Sequence, residues 1–394
     1  MRRISSLMLN NLLSTICSNQ IHGDTLEMKE LAVRICRDYL HGPWKKVTTQ
    51  NIGLKHISGG LSNHLYHVSL PAQLQDSYED NKKPSEEPKD VLIRIYGQTH
   101  GEGALEALIT ESVIFTLLSE RRLGPKLHGI FPGGRLEQYI NARPLLTSEL
   151  AEERLSVQIA EKMAALHSME VPLHKEPTWL WNTINRWITT CDTKLKTTTP
   201  DFIRELLTGV DLRAEFKWLK NRLEQENSPV VFCHNDMQEG NILTSLDSDK
   251  ENDPQGSELI IIDFEYCSYN YRSFDIANHF IEWVYNYSEE KFPFYREDLS
   301  NYPTEKQRLT FIRSYLNSVG SREQPKKILK EVEVFTLASN LFWSLWAFIN
   351  ADTSEIPFGY WEYGHSRLSG YFTLKEKLCG NLNTKRKMDC LTTD

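Results

Sequence analysis

Several things are missing from this 394-residue chain, and each absence removes a class of protein. No two of its seven cysteines (Cys17, Cys36, Cys191, Cys233, Cys267, Cys379 and Cys390) are spaced as Cys-x-x-Cys. A zinc ribbon or a thioredoxin-like pair therefore has no support. Their odd number and wide spacing fit reduced thiols in a reducing compartment. There is no basic excess: 45 Lys and Arg stand against 53 Asp and Glu, a formal charge of −8. A nucleic-acid partner has no electrostatic footprint here. The mild acidity would suit a cationic substrate, a pointer of little weight by itself. No apolar run reaches the length of a membrane span, and no internal repeat is present. Acids are absent before Asp24, and Arg2 and Arg3 lead into a stretch of Ser, Leu and Asn. That composition resembles a transit peptide, whereas Asn10 and Asn11 interrupt the apolar run a secretory signal needs. A disordered tail over residues 1–27 is the simpler expectation, with a cytoplasmic location.

What is present is ordinary for a globular chain: 40% hydrophobic and 25% charged residues. The length suits one large domain or two lobes. Residues 76–90 and 247–258 are rich in Asp, Glu, Lys, Ser and Pro, and read as solvated surface loops. Residues 379–394 read as a polar tail. Between these markers, Tyr66, Val68 and Leu70 alternate along a strand at 65–70, and 91–96 predicts another. Leu108, Phe115 and Leu118 recur near a 3.6 period, so a helix is expected over 104–122, stopped by Gly124-Pro125. A strand at 135–140 follows, then the break at Pro144. Leu155, Ile159, Met163 and Leu166 mark one face of a further helix. Helices dominate from there on, except for short apolar strands at 230–233 and 259–262. The pattern predicts an α+β fold with a small strand-rich first part and a larger, mostly helical second part, divided near Asn141.

The strongest chemical signal is His234-Asn235-Asp236-Met237-Gln238-Glu239-Gly240-Asn241, delivered by one short strand and followed by the apolar pair Ile242-Leu243. A second strand ends at Asp263-Phe264-Glu265. Two carboxylates and an amide thus meet at the ends of two short strands. Phosphoryl transfer calls for this set. Mg²⁺ is a hard ion that takes oxygen ligands, which Asp263 and Asn241 supply. Asp236 is left to orient the acceptor hydroxyl and take its proton. The Asp-x₄-Asn spacing matches the catalytic loop of protein kinases, and Asp263-Phe264 the start of their metal-binding motif. Alone, a His-Asn-Asp is often a polar turn and an Asp after a strand a helix cap; the ordered combination is what argues for chemistry.

Two upstream features belong with it. Arg94 sits on the apolar strand 91–96, where a charge needs a partner or a phosphate. Glu111 lies in the middle of the next helix. Kinases place a Lys–Glu pair in these positions; here the cation would be Arg, whose flat fork suits phosphate oxygens. The bland alternative is a surface Arg on an edge strand. Ser58-Gly59-Gly60-Leu61-Ser62-Asn63 precedes a strand, and paired glycines let backbone N–H groups approach a phosphate. A plain hairpin turn is the competing reading of that segment.

These residues carry a resemblance to the choline/ethanolamine kinase family, and within it to the animal choline kinases. It rests on Gly59-Gly60-Leu61-Ser62-Asn63, Glu111-Ser112-Val113, Leu123-Gly124-Pro125-Lys126-Leu127, Gly134-Arg135-Leu136-Glu137-Gln138, Val231 through Leu243, Ile262 through Arg272, and Phe274-Asp275-Ile276. Trp343, Trp346, Phe358-Gly359-Tyr360 and Tyr363 complete it. The likeness runs from about Leu31 to about Leu378. It implies a two-lobed protein-kinase-like fold, with an ATP-binding lobe over 28–140 and a catalytic and choline-binding lobe over 141–378. It also implies Mg²⁺ and ATP, usually a homodimer, and the first step toward phosphatidylcholine. By resemblance, Asp236 is the base, and Asn241 and Asp263 are the magnesium ligands. Gln238 lies near the transferred phosphate. Ser62, Asn63, Arg94 and Glu111 form the phosphate-binding set, and Gln138 and Ile140 flank the adenine.

The acceptor side is aromatic. Trp343 and Trp346 are three apart in a helical stretch and share a face. Aromatic faces attract a quaternary ammonium without hydrogen bonds, and a carboxylate such as Glu282 would add charge attraction. For any one of these residues core packing is the plainer reading. The resemblance places Tyr266, Glu282, Tyr287, Trp343, Trp346, Tyr360 and Tyr363 around choline and gives Tyr285 no such role. Glu265 stands where protein kinases have Gly, Asn235 where they have Arg, and no Ala-Pro-Glu is present. A small-molecule kinase without an activation-loop switch follows. The alternatives are an ethanolamine-preferring or dual-specificity kinase, a phosphohydrolase using His234, Asp236 and Asp263, and a catalytically weak kinase-fold scaffold. No second metal cluster supports the hydrolase.

Overall fold

A computed structural model describes residues 25–57, 63–74, 87–96, 104–194, 199–246, 258–354 and 356–389. The Gly-Gly segment with Ser62, the first 24 residues and most of both polar stretches lie outside the described residues. The chain divides into two compact units, residues 1–142 with 245–256, and 143–244 with 257–394.

The first unit opens with α1 (Leu26–Tyr39). It starts because the Thr25 hydroxyl accepts the Met28 amide at the N-cap. That start falls inside the stretch expected to be a tail. Met28, Leu31, Ala32, Ile35 and Cys36 recur at helical spacing and are buried. The strands β1 (Gly53–Ile57), β2 (Asn63–Ser69) and β3 (Asp90–Tyr96) come next, then α2 (Ala104–Glu120), β4 (Leu127–Phe131) and β5 (Gly134–Gln138). They form one antiparallel sheet in the order β1-β2-β3-β5-β4. Tyr66 and Val68 of β2 and Val91, Ile93 and Ile95 of β3 join the α1 residues and Trp44 in one core. The Trp44 indole N–H donates to the Pro88 carbonyl at 2.8 Å, so its polar edge is satisfied as well.

The second unit continues from β6 (Ala142–Pro144) into α3 (Glu153–His167), α4 (Thr178–Lys194), α5 (Asp201–Leu207) and α6 (Leu212–Glu224). Then come β7 (Val230–Cys233), β8 (Ile242–Ser245), β9 (Leu259–Ile261) and β10 (Ser268–Tyr271). The rest is α7 (Arg272–Glu282), the short pair β11 (Tyr285–Asn286) and β12 (Arg296–Glu297), α8 (Glu305–Ser318), α9 (Pro325–Asn350) and α10 (Tyr360–Asp389). β7 pairs antiparallel with β10, and β8 with β9. These two hairpin-like pairs carry the His234 and Asp263 segments at their ends.

Two expectations need correction. No run of membrane-spanning length was expected, yet α9 is long and apolar enough by length and composition to cross a membrane. Glu331 and Glu333 interrupt the run, but the helix continues through them, and most of its residues from Ile328 to Phe348 are buried in this unit. It is a core helix. The segment from Cys379, read as a tail, continues α10 as far as Asp389. No proline stands between Tyr360 and Asp394, and polar Lys, Asn and Thr do not by themselves end a helix. The described cysteines are free thiols, four of them buried.

Candidate active site

In the second unit β7 ends at Cys233 and releases His234 to Asn241. Asn235 holds φ at 68°, in the left-handed region that Asn tolerates better than most residues. The turn is fixed by three residues of α7. From α7, the two oxygens of the buried Asp275 accept the backbone N–H groups of His234 and Asn235, each at 2.8 Å. Asp275 also accepts from His167 Nε2 at 2.9 Å. Burial alone would raise the Asp275 carboxyl, but the hydrogen bond and charge of His167 and the loop amides outweigh it and hold the pKa below its ordinary value. One turn along the same helix, Asn278 Nδ2 donates to the Asn235 carbonyl at 3.3 Å and His279 Nδ1 to the Met237 carbonyl at 2.9 Å. Positions i, i+3 and i+4 of a helix share a face, so one side of α7 holds the loop backbone. His279 is neutral: burial lowers its pKa to about 4, and its Nε2 accepts the Trp283 indole N–H.

Asp236 is partly buried. Asn241 Nδ2 donates to its backbone carbonyl at 2.9 Å and to its Oδ2 at 3.0 Å. Burial pushes the Asp236 carboxyl well above its ordinary range, and the nearby charges of Glu282, Asp263 and Glu265 push the same way. The Gln238 side-chain carbonyl accepts the Gly240 amide at 2.8 Å and shapes the next turn. Any Cβ on Gly240 would come within 3.0 Å of that oxygen. Glu239 is buried; its Oε1 accepts the Thr147 hydroxyl, and burial and Glu282 push its pKa up to about 8.

Asp263 is tied to the same loop through its neighbour. The Ile262 amide donates to the Asn241 carbonyl and the Ile262 carbonyl accepts from His234 Nε2, both at 3.0 Å. His234 Nδ1 accepts the Asp236 amide, so the imidazole is neutral with its proton on Nε2. Burial lowers the His234 pKa, which suits that form. Asp263 itself holds φ at 63°, a strained conformation for this residue type that recurs at functional sites. The donor chemistry fits Mg²⁺: Asn241 spends its amide nitrogen on Asp236, which leaves its carbonyl oxygen, and the Asp263 carboxylate is a second hard oxygen donor of the kind that ion takes.

The aromatic residues form one contiguous group in this unit. Ring centroids lie 5.5 Å apart for Tyr266 and Trp343, 5.4 Å for Trp343 and Trp346, 5.6 Å for Trp346 and Tyr360, and 6.1 Å for Tyr287 and Tyr363. Trp346 and Tyr363, at 6.4 Å, close the chain, and Glu282 joins it by accepting the Tyr287 hydroxyl at 2.7 Å. The seven residues assigned to choline are therefore brought together. Tyr266 also accepts the Asn235 side chain on its backbone carbonyl at 2.8 Å, joining this group to the Asp236 loop. A second joint is Asn278, whose Oδ1 accepts from Trp343 Nε1 and from the Ser339 hydroxyl, both at 2.7 Å.

In the first unit the structure changes an expected pairing. Glu111 is held by Arg135 NH1 at 2.5 Å, and Arg94 Nε donates to Glu137 at 3.1 Å. Arg94 had been matched with Glu111. β3 is a central strand of its sheet, which removes the edge-strand reading of Arg94. The register sets Arg94 opposite Arg135, and like charges there would repel. Glu137 resolves this by giving one oxygen to each, at 3.1 and 3.2 Å. Burial opposes the Arg135 charge, but Glu137 and Glu111 outweigh it and keep its pKa raised. Asn63 opens β2 opposite Tyr96, and Gln138 ends β5, exposed, with its side-chain carbonyl accepting the Lys126 amide at 3.1 Å. Ile140 follows two residues later, half-buried.

Sequence reasoning missed Arg135 and Glu137 as partners, Asn278 and His279 as supports of the loop, and Arg367. The alternation Arg135-Leu136-Glu137 on a short strand was a usable signal for the first two. For Arg367 no local signal existed.

The profile of the choline/ethanolamine kinase family matches residues 54–372. A human choline/ethanolamine kinase is 46% identical over 356 residues, covering 88% of this chain and 86% of that protein. Mouse choline kinase alpha is 42% identical over 373 residues, covering 87% and 80%. Among solved structures, a choline kinase from Cryptosporidium parvum is similar with a TM-score of 0.70 and 28% identity, over 89% of this chain and 96% of that one. The mixed fold, with its smaller strand-rich first part and larger helical second part, is shared with that structure.

Proposed function

Because the chain belongs to the choline/ethanolamine kinase family, and is on that ground an ATP-dependent kinase, we propose that it transfers the γ-phosphoryl group of ATP to choline, in preference to ethanolamine. The products are phosphocholine and ADP, as in the opening step toward phosphatidylcholine.

The observation that carries the choice of acceptor is the double connection between the Asp236 loop and the aromatic group, through Tyr266 and through Asn278. A cation seated against Trp343 and Trp346 is then within the same rigid framework as the carboxylate that takes the hydroxyl proton. Asp236 acts as that base, oriented by Asn241. Gln238 shapes the turn beside the transferred group. Asn241 and Asp263 would hold a magnesium ion, whose chemistry there would be to neutralise the charge of the phosphates. Arg94, Ser62 and Asn63 contact the phosphates, Glu111 supports them through Arg135, and Gln138 and Ile140 flank the adenine. Tyr266, Tyr287, Trp343, Trp346, Tyr360 and Tyr363 present faces or edges to the trimethylammonium, which needs no hydrogen bond. A homodimer and a cytoplasmic location complete the reading, and a sedimentation measurement on the full chain tests the first of these.

The decisive experiment is ADP release from Mg-ATP with choline, with ethanolamine and with neither, beside Asp236→Asn. Choline-dependent release that disappears in the variant is the expected result. No release with either amine, from folded protein, overturns the proposal and leaves the scaffold.

A further inference from the structure

Arg367 of α10 is fully buried in the second unit, against the residues proposed to hold the acceptor. Its guanidinium donates to Glu282 Oε1, to the Tyr363 hydroxyl from Nε at 2.9 Å and NH2 at 2.7 Å, and to Asn340 Oδ1 at 3.4 Å. Its carbon lies 4.4 Å from the centroid of the Tyr285 ring and 5.1 Å from that of Tyr363. The other oxygen of Glu282 accepts the Tyr287 hydroxyl. Burial opposes the Arg367 charge, but Tyr363 and Glu282 outweigh it and keep the group charged.

Two consequences follow. The charge of Glu282 is matched, so the pair contributes no net attraction for a cation. Both carboxylate oxygens are also already engaged by donors. A quaternary ammonium loses nothing by this, because it has no N–H to satisfy. A primary ammonium brings three N–H donors, and a donor left unmet away from water is costly.

We propose that Arg367 is a specificity-determining residue, which withholds Glu282 from the substrate and thereby favours quaternary over primary ammonium acceptors. This rests on the functional reading above. It also revises the expectation that Glu282 supplies charge attraction directly.

The test is steady-state kinetics with choline, N,N-dimethylethanolamine, N-methylethanolamine and ethanolamine, for the wild type, Arg367→Met, Glu282→Gln and the double variant. In Arg367→Met, Glu282 becomes available, and the preference for choline over ethanolamine in kcat/KM falls by roughly tenfold or more, the worth of one hydrogen bond to a charged group. The methylated series falls in between, and the KM for ATP is unchanged. Glu282→Gln leaves the Arg367 charge unmatched and raises the KM for all four amines together. The double variant is neutral again and recovers choline KM to within a few-fold of wild type, a readout that survives poor folding of either single variant. Equal losses for all amines in Arg367→Met, or a double variant as weak as Glu282→Gln, overturn the proposal. A wild type that turns over none of the amines overturns the functional reading and this inference with it; an active wild type with unshifted variants overturns this inference alone.

Discussion

In the first unit Glu137 stands between Arg94 and Arg135, and each charge is fixed by another charge. In the second unit Asp236 is fixed mainly through the backbone around it, which Asp275, Asn278 and His279 hold from one face of α7. The difference matters for what each group is able to do. A charge whose partners are other charges is held firmly in place, with part of its donor capacity already spent. A carboxylate placed by bonds to its neighbours' main chain keeps much of its own valence for chemistry, and Asp236 gives Oδ2 to a single amide, Asn241. The aromatic group combines both devices: neutral rings offer their faces, while a buried ion pair, Arg367 with Glu282, lies against them.

The largest expected effect tests the uncommitted carboxylate. Asp236→Asn keeps the shape and the Asn241 contact but removes the base, and kcat falls by roughly a thousandfold or more while ATP still binds. Retained turnover would place the base elsewhere.

Next comes the support. Asp275→Ala leaves two loop amides and His167 without their acceptor inside the protein. Stability falls by about 3–5 kcal/mol, as for other broken buried charged networks. Denaturant unfolding of the variant measures this, and a loss under 1 kcal/mol would mean that the loop holds itself. Trp343→Ala removes a cage face and frees Asn278 from one donor. The KM for choline rises by roughly thirtyfold, about 2 kcal/mol for a desolvated cation–π face, with the KM for ATP unchanged. Equal changes in both KM values would return Trp343 to the core.

Smaller effects separate the two units. Glu111→Gln keeps a hydrogen bond to Arg135 but removes charge. It costs about 1 kcal/mol and raises the KM for ATP a few-fold without moving that for choline. The pH dependence of stability is the finest test. The folded pKa of Asp275 is depressed, so its contribution is present above the unfolded value of about 3.9 and is lost as pH falls through the folded pKa. Acid unfolding of Asp275→Asn should therefore be less steep below about pH 4 than that of the wild type. Identical slopes would show that other carboxylates govern acid unfolding.

Much of this was legible in the chain. The alternation at Tyr66, Val68 and Leu70 marked β2, and the short apolar runs marked β7 and β9, because a two-residue period survives in any local window. β1 and β4 went unseen. β1 carries Lys55 and His56 and has no fully buried residue, and β4 is broken by a bulge near Gly129, so neither alternates cleanly. α9 was not seen as one apolar helix, because Glu331 and Glu333 lie in its sequence while their partners, Arg272 and Arg308, lie on other helices.

The sequence alone determined a strand-rich first part and a helix-rich second part, the Asp236-x₄-Asn241 spacing and the Asp263 segment, since these depend on residues near one another in the chain. It also supplied the aromatic set, although not the reason those rings meet. The tertiary structure decided the pairings. Arg135 rather than Arg94 takes Glu111, because the register of β3 and β5 puts two arginines face to face and Glu137 between them. Arg367 reaches Glu282 across 85 positions of sequence, and Asp275 reaches the loop across 41. Charge pairing inside a protein depends on distance and burial, and neither is written in any stretch of sequence short enough to read by period or motif.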